Sequence, residues 1–155
     1  MKSFTYEIGV DWTGNDGSGT TTPHYGRDNE VSVHGKPTIV GSAPKEFGGN
    51  GTDWSPEEFF VAAISQCHML TYLYLCSRAG IVVESYNDLA VGTLRLEGTG
   101  GQVETITLRP RVVISAGDPE RAKALHADAH RDCFIGASIT ASVVIEPAIN
   151  VDRAG

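Results

Sequence analysis

A chain of 155 residues, of which 41% are hydrophobic and 20% charged, fits one globular domain, and we expect a single domain over residues 1–155. Its formal net charge of −7 repels the phosphates of nucleic acids, so we expect no nucleic-acid partner. The N-terminal stretch lacks the apolar core of a signal peptide, and we therefore expect a cytoplasmic protein.

The N-terminal third of the chain predicts β-structure. Loose alternation of apolar and polar residues favours strands over residues 3–12, 30–34 and 38–41. Residues 44–53 form a glycine-rich loop, after which the pattern changes.

Residues 55–78 predict a long helix. Ser55 can cap it, Pro56 fits the first helical position, Glu58 can complete a capping box, and Gly80 suits the C-terminal end. Apolar residues on nearly every side predict a helix that is buried all round. Its apolar run approaches the length of a membrane span, but polar residues interrupt it, so we expect no membrane contact.

The remainder of the chain returns mainly to strands. Three are predicted, over residues 81–84, 86–97 and 102–115. Residues 98–101 join the last two as a hairpin, residues 118–131 form a second helix, and residues 138–146 form a last strand. Runs of strands around a central helix indicate an α+β fold rather than alternating βαβ units.

Three cysteines are the main candidates for chemistry. Their odd number and their spacing argue against a secreted disulfide scaffold or a zinc ribbon, and we expect neither a metal nor a cofactor. Cys67 lies within the apolar helix between two polar residues, Gln66 and His68, which need partners if buried. Cys133 continues the face of the second helix that carries Ala122, Leu125 and Ala129, so it also points inward. Cys76 is out of phase with Cys67 and is interpreted as a packing residue.

Other chemistries stay open at this point. A cysteine hydrolase needs a histidine facing the thiol, whereas His68 points about 100° away from Cys67 on a helix. His126 and His130 have a spacing that can bind metal but lack the HExxH context, so a packed or solvated pair is favoured. A zinc site formed by both candidate cysteines and His130 is a further alternative. A reactive thiolate needs a nearby cation, for which Arg27, Lys36 and Lys45 are candidates.

Several segments together resemble the OsmC/Ohr family of thiol peroxidases. They are Gly26-Arg27-Asp28 and residues 44–51, 55–67 and 129–133. The resemblance implies an α+β fold with an N-terminal antiparallel sheet, a long buried central helix, and a second sheet with a shorter helix. It also implies an intertwined homodimer with two sites at the subunit interface.

The resemblance also implies roles for four residues. Cys67 matches the peroxidatic cysteine and Cys133 the resolving one, while Arg27 matches the arginine that holds the thiolate and Glu57 the carboxylate that orients this arginine. The expected activity reduces hydroperoxides to alcohols through a Cys67 sulfenic acid and a Cys67–Cys133 disulfide, which an external dithiol, lipoyl-type in related proteins, restores. Phe134 follows Cys133, where the organic-hydroperoxide branch commonly has proline, so the preferred hydroperoxide stays open. A binding or redox-sensing module without efficient turnover is the main alternative.

The position of Glu57 leads to a hypothesis about the dimer. Glu57 lies ten residues before Cys67, which is about 15 Å along one straight helix. We therefore expect each site to combine the cysteines of one subunit with Arg27 and Glu57 of the other. A bond between Arg27 and Cys67 of the same chain would contradict this expectation.

Overall fold

Residues 1–152, which the computed structural model describes, form nine β-strands, two α-helices and two short 3₁₀ helices. The chain divides into two units, one of residues Met1–Phe59 and one that begins at Phe60. The boundary falls inside the first α-helix, close to its start.

The first unit contains an antiparallel sheet in the order β1-β2-β3, as expected. Its strands are β1 (Gly9–Trp12), β2 (Asn29–Ser32) and β3 (Ile39–Gly41). β1 begins later than predicted, because its neighbour β2 ends at Ser32, which pairs with Gly9, and a turn follows. The glycine-rich loop contains a 3₁₀ turn at Lys45–Phe47.

Helix α1 covers Pro56–Arg78, as the sequence predicts. The capping box is present, since the Ser55 N–H donates to Glu58 Oε2 over 2.7 Å and the Glu58 N–H donates to Ser55 Oγ over 3.3 Å. Gly80 follows the helix with a φ of +70°, a conformation that favours glycine.

The prediction that α1 is buried on every side is wrong for a single chain. Its fully buried residues follow one another at four-residue intervals, on one face: Ile64, His68, Tyr72 and Cys76. Leu70 and Tyr74, on other faces, are 57% and 63% exposed. Within residues 1–152, α1 is the one helix long and apolar enough to cross a membrane, although a buried histidine on its packed face is typical of a globular core.

The second unit contains two three-stranded sheets, where the sequence suggested one. Their orders are β4-β7-β9 and β5-β6-β8. The strands are β4 (Val82–Asp88), β5 (Val91–Glu97), β6 (Gly100–Leu108), β7 (Pro110–Ala116), β8 (Ser142–Ile145) and β9 (Ala148–Val151). β5 and β6 form the expected hairpin, and β8 and β9 pair in parallel with β6 and β7.

Two stretches that the sequence predicts as continuous strands are each divided in the structure, at positions that a hydrogen bond joins. Residues 86–97 divide between β4 and β5, and residues 102–115 divide between β6 and β7 at Arg109. The Arg109 N–H donates to Asp88 Oδ1 over 2.6 Å, so a side chain replaces the ladder partner at the break. Pro110, which begins β7, has no N–H to offer a ladder.

Helix α2 (Pro119–Asp132) packs against α1 in the larger of two core clusters of this unit. That cluster contains Tyr72, Cys76, Ile81, Val112, Ile114, Ala122, Leu125 and Ala129. The smaller cluster joins Ile64 to Ile106 and Leu108. Cys76 therefore packs in the core, as interpreted from its position in the helix. The observed elements confirm the α+β fold.

Candidate active site

Cys67 lies near the middle of α1, half-buried and with a free thiol. The hydroxyl of Thr71, one turn later, donates to the Cys67 carbonyl over 2.9 Å. Gln66, on one side of Cys67, is exposed, whereas His68, on the other side, is buried. Cys67 is thus neither fully enclosed in the core nor fully exposed, which suits a residue whose thiol reacts with small molecules.

Cys133 stands at the C-terminal end of α2 and is only 2% exposed. The predicted inward face of α2 is confirmed by the burial of Ala122, Leu125 and Ala129. A short 3₁₀ turn at Gly136–Ser138 follows, and the Gly136 N–H donates to Cys133 Sγ over 3.3 Å. A β-carbon at Gly136 would lie 3.4 Å from that sulfur, so glycine lets the turn lie close against the thiol.

The structure brings Cys133 next to Cys67. Burial raises the pKa of the Cys133 thiol to about 11, and its interaction with the neighbouring Cys67 contributes in the same direction. Cys133 is therefore a neutral thiol at pH 7, and both cysteines are free. Two neighbouring thiols with such different surroundings suit a pair in which one reacts first and the other follows.

Arg27 lies in the loop before β2, within the first unit. Its guanidinium donates to the carbonyls of Tyr25 and Pro23, the latter over 3.0 Å, and lies 3.9 Å from the centre of the Tyr25 ring. It lines a cavity of about 740 Å³ whose other walls are largely apolar or aromatic, including Trp12, Trp54 and Phe59. A delocalised cation in an apolar wall can hold an anionic or strongly polar group there.

The loop that carries Arg27 is joined to the glycine-rich loop. Asn50 Nδ2 donates to Asp28 Oδ1 over 2.9 Å and to Asp53 Oδ2 over 2.7 Å. Ser42 Oγ donates to the same Asp28 oxygen over 3.2 Å. The two sequence motifs of the first unit, Gly26-Arg27-Asp28 and residues 44–51, thus belong to one hydrogen-bonded structure, which the sequence did not reveal.

Glu57 lies in the first turn of α1, where a carboxylate is favoured by the helix dipole. Its Oε2 atom is buried and has no hydrogen-bond partner within the described residues. The structure does not bring Glu57 into a hydrogen bond with Arg27, whose guanidinium instead contacts Tyr25 and Pro23. The expected pairing of Glu57 with Arg27 stays a prediction.

The polar neighbour of Cys67, His68, has a partner that the sequence did not identify. His68 Nε2 and His126 Nδ1 share a hydrogen bond of 3.0 Å. The ring of His126 also stacks on Tyr72, with centroids 3.9 Å apart. His68 is thus engaged with α2 rather than with Cys67, which gives no support to a cysteine hydrolase. The signal was available, because His126 follows Ala122 by four residues and shares its buried face.

The remaining alternative concerned a metal. His126 is buried, whereas His130, one turn later, is exposed, so the two do not face one common site. Within residues 1–152, no group of three or more His, Cys, Asp or Glu side chains is arranged to hold a metal ion. The zinc site formed by both cysteines and His130 therefore finds no support.

Comparison with known proteins identifies the family of this chain. Residues 49–148 match the family model described as OsmC-like protein. The chain belongs to the OsmC-like protein family. The resemblance noted from the motifs is confirmed, and the matched residues of this OsmC-like chain include Glu57, Cys67 and Cys133.

Individual relatives agree with the family assignment. A solved OsmC-like protein of unknown function from Vibrio cholerae is 33% identical, with a TM-score of 0.84 over 94% of this chain and 100% of that one. The uncharacterized protein YmaD of Bacillus subtilis is 26% identical over 118 residues, which are 74% of this chain and 79% of that protein. An organic hydroperoxide resistance protein OsmC from Legionella pneumophila, 20% identical, has the same fold, with a TM-score of 0.67 over 97% of this chain and 100% of that chain.

Proposed function

We propose that this OsmC-like protein is a thiol-dependent hydroperoxide reductase. The observation that carries the proposal is the contact between a half-buried Cys67 and a buried Cys133 whose pKa is raised to about 11. The accessible thiol is the attacking group, and the protonated thiol beside it is the resolving group. Structural neighbours named organic hydroperoxide resistance proteins, from Legionella pneumophila and Elizabethkingia anophelis, support this class of activity.

The proposed reaction has three steps. The Cys67 thiolate attacks the terminal peroxide oxygen, the O–O bond breaks, and the departing alkoxide takes a proton to become an alcohol. Cys133 then attacks the Cys67 sulfenic sulfur, so that an S–S bond forms and hydroxide leaves with the Cys133 proton as water. An external dithiol, lipoyl-type in our proposal, reduces the disulfide and becomes a disulfide itself.

The proposed working form is a cytoplasmic homodimer in which Arg27 and Glu57 of one subunit complete the site of the other. Two observations support pairing. Leu70 and Tyr74 leave an apolar part of α1 exposed, and Glu57 Oε2 is buried without a partner. In the assembled site, Arg27 stabilises the Cys67 thiolate, and Glu57 orients Arg27.

The proposed substrate is an organic hydroperoxide rather than hydrogen peroxide. The cavity beside Arg27 is lined mainly by apolar and aromatic side chains. An alkyl or aryl group is therefore more stable in this cavity than in water. The guanidinium in the same wall offers hydrogen-bond donors to the polar peroxide end.

Single-turnover and steady-state assays test the proposal, with an organic hydroperoxide, hydrogen peroxide and a dithiol. Wild type is expected to consume the organic hydroperoxide faster, and Cys67→Ser is expected to lose at least about 1,000-fold of the rate because the nucleophile is gone. Cys133→Ser is expected to retain the first turnover but to stop at the sulfenic acid. Cys76→Ser, a core cysteine, is the matched control and should keep the wild-type rate. An inert wild type, or a fully active Cys67→Ser variant, would refute the proposal.

A redox-sensing module without efficient turnover is the second candidate. Burial of Cys133 favours it, because a disulfide to an enclosed sulfur is hard for a dithiol to reach, and a thiol with a raised pKa is a poor leaving group when that disulfide is reduced. In that case, the disulfide forms once with peroxide, but dithiol-dependent turnover is slow in the same assays.

A further inference from the structure

A buried pair of histidines connects the two helices that carry the redox cysteines. His68 of α1 and His126 of α2 are 1% and 2% exposed, and their rings are nearly parallel, at 11°. The hydrogen bond of 3.0 Å between His68 Nε2 and His126 Nδ1 is a polar contact between the two helices. Neither histidine takes part in the proposed chemistry, so the pair calls for an explanation.

Both histidines are neutral at physiological pH. Burial lowers the pKa of His68 to about 4 and that of His126 to about 3. A neutral pair shares one proton across its hydrogen bond, so one ring donates and the other accepts. The outer atoms, His68 Nδ1 and His126 Nε2, have no partner within the described residues. The shared hydrogen bond therefore satisfies only half of the polar atoms that the pair buries.

Such a costly contact lies close to the cysteines on both helices. His68 follows Cys67 directly. His126 and Cys133 are seven residues apart, which is about two turns, so they lie on the same face of α2. One face of α2 thus contacts α1 twice, at His68 through His126 and at Cys67 through Cys133.

We propose that His68 and His126 are positioning residues for the redox pair, and that their hydrogen bond holds α2 where Cys133 can reach Cys67. The inference rests on the proposed pairing of Cys67 with Cys133. By restricting the motion of α2 in the reduced protein, the bond raises the effective concentration of one thiol at the other. It acts on disulfide formation and has no part in the attack of Cys67 on peroxide.

The test measures the equilibrium constant of the Cys67–Cys133 disulfide against glutathione, which needs no peroxidase activity. His126→Phe keeps a ring to stack on Tyr72 but removes the hydrogen bond, and the constant is expected to fall about tenfold. His126→Asn places an amide near the position of Nδ1 and is expected to recover most of the loss. His130→Leu, a change at an exposed histidine on the same helix, is the matched control and should change the constant less than twofold.

A second measurement separates positioning from a general loss of structure. In single turnover with an organic hydroperoxide, the rate of Cys67 oxidation should stay at the wild-type value in His126→Phe, while the rate of disulfide formation falls about tenfold. A folded His126→Phe variant with an unchanged disulfide constant would overturn the inference, as would equal losses in the Phe and Asn variants.

Two complications have defined outcomes. If His126→Phe does not fold, His126→Asn is compared with His126→Gln, whose amide reaches one bond too far, and equal constants for the two would overturn the inference. If wild type reduces no peroxide but loses disulfide stability on His126→Phe, the proposed function fails and the positioning role stands. If wild type forms no Cys67–Cys133 disulfide with glutathione, the positioning role fails.

Discussion

The two neighbouring cysteines, Cys67 near the middle of α1 and Cys133 at the end of α2, differ in how deeply they are buried. Cys133 is enclosed by α2, by the turn at Gly136 and by Cys67, whereas Cys67 is half-buried. A buried thiol ionises reluctantly because its thiolate loses hydration. In the proposed reaction, the order in which the two thiols react is therefore set by how deeply each cysteine is buried.

Alkylation measures this difference directly. In a Cys76→Ser background at pH 8, iodoacetamide is expected to modify Cys67 before Cys133, because the pKa of Cys133 is raised to about 11 and its sulfur is enclosed. Peptide mass spectrometry over time reports the two sites separately. In urea, both thiols should react at similar rates. Faster modification of Cys133 in the folded protein would contradict the assignment of roles.

The buried histidines predict a pH dependence of stability. Their pKa values of about 4 and 3 lie below the ordinary 6.5, so the unfolded chain binds more protons as the pH falls below about 6.5. The contribution of the two neutral histidines to the free energy of unfolding is therefore fully present above pH 6.5. It falls toward pH 4, by up to about 1.4 kcal/mol per pH unit for each histidine. Around His68, the exposed His130 of α2 adds to the lowering of its pKa, and Asp88 of β4 opposes it.

Urea unfolding at pH 7, 6 and 5 measures this loss. A double variant, His68→Leu with His126→Phe, is expected to show a smaller slope of the unfolding free energy against pH, whatever its stability at pH 7. Changing the exposed His24 to leucine should leave the slope unchanged. Equal slopes for the double variant and wild type would show that the pair is not responsible.

At the scale of elements, Asp88 lies where the two predicted long strands of the second unit divide. Its Oδ1 accepts from the Arg109 N–H over 2.6 Å, and its Oδ2 accepts from Ser65 Oγ over 2.5 Å. One carboxylate thus replaces a missing ladder bond and also attaches the sheet to α1, two residues before Cys67. The strand break and the attachment of α1 to the sheet therefore depend on the same residue.

Removing that carboxylate should weaken the fold. Asp88→Ala is expected to lower the free energy of unfolding by about 2–4 kcal/mol, because two hydrogen bonds to a charged group are lost. Asp88→Asn keeps an acceptor for the Arg109 N–H and should cost less. Glu84→Ala, which removes an exposed hydrogen bond to Ser115, is the control and should cost about 0.5 kcal/mol or less. Urea unfolding curves give all three values.

Local signals in the sequence predicted the helices far better than the sheets. The capping box at Ser55 and Glu58 and the Asp118-Pro119 start depend on neighbouring residues, and both helices begin as predicted. Strand ends depend on distant partners instead, so β1 begins where its antiparallel neighbour β2 ends, and the break at Arg109 needs Asp88. For the same reason, the motifs indicated the candidate cysteines and the helical spacing could indicate that His126 is buried, but its pairing with His68 required the packing of α1 on α2.

At the scale of the whole molecule, the apolar surface of α1 is the feature that a single chain leaves unexplained. The helix buries one face, and Leu70 and Tyr74 lie on the remainder. A helix with apolar residues on every face is usually enclosed by protein on all sides. In the proposed homodimer, the second chain supplies the missing cover.

Changing this surface tests the dimer. Wild type is expected to have twice the monomer mass in sedimentation at micromolar concentration, and Leu70→Glu with Tyr74→Glu is expected to be monomeric, because two charges cannot be buried against a partner. Ala127→Glu, an exposed apolar position on α2, should leave the mass unchanged. A monomeric wild type, or a double variant that stays dimeric, would remove the basis for a shared site.

The apolar part of α1 also has a consequence for how the protein is handled at low abundance. The rate at which two chains assemble depends on the square of the chain concentration, so assembly is slow in a cell that makes few copies. Until a chain pairs, Leu70 and Tyr74 stay exposed to water. If the site is shared between subunits, the activity per molecule falls on dilution. A preparation that is inactive at nanomolar concentration could then recover when concentrated, with no change in any covalent bond.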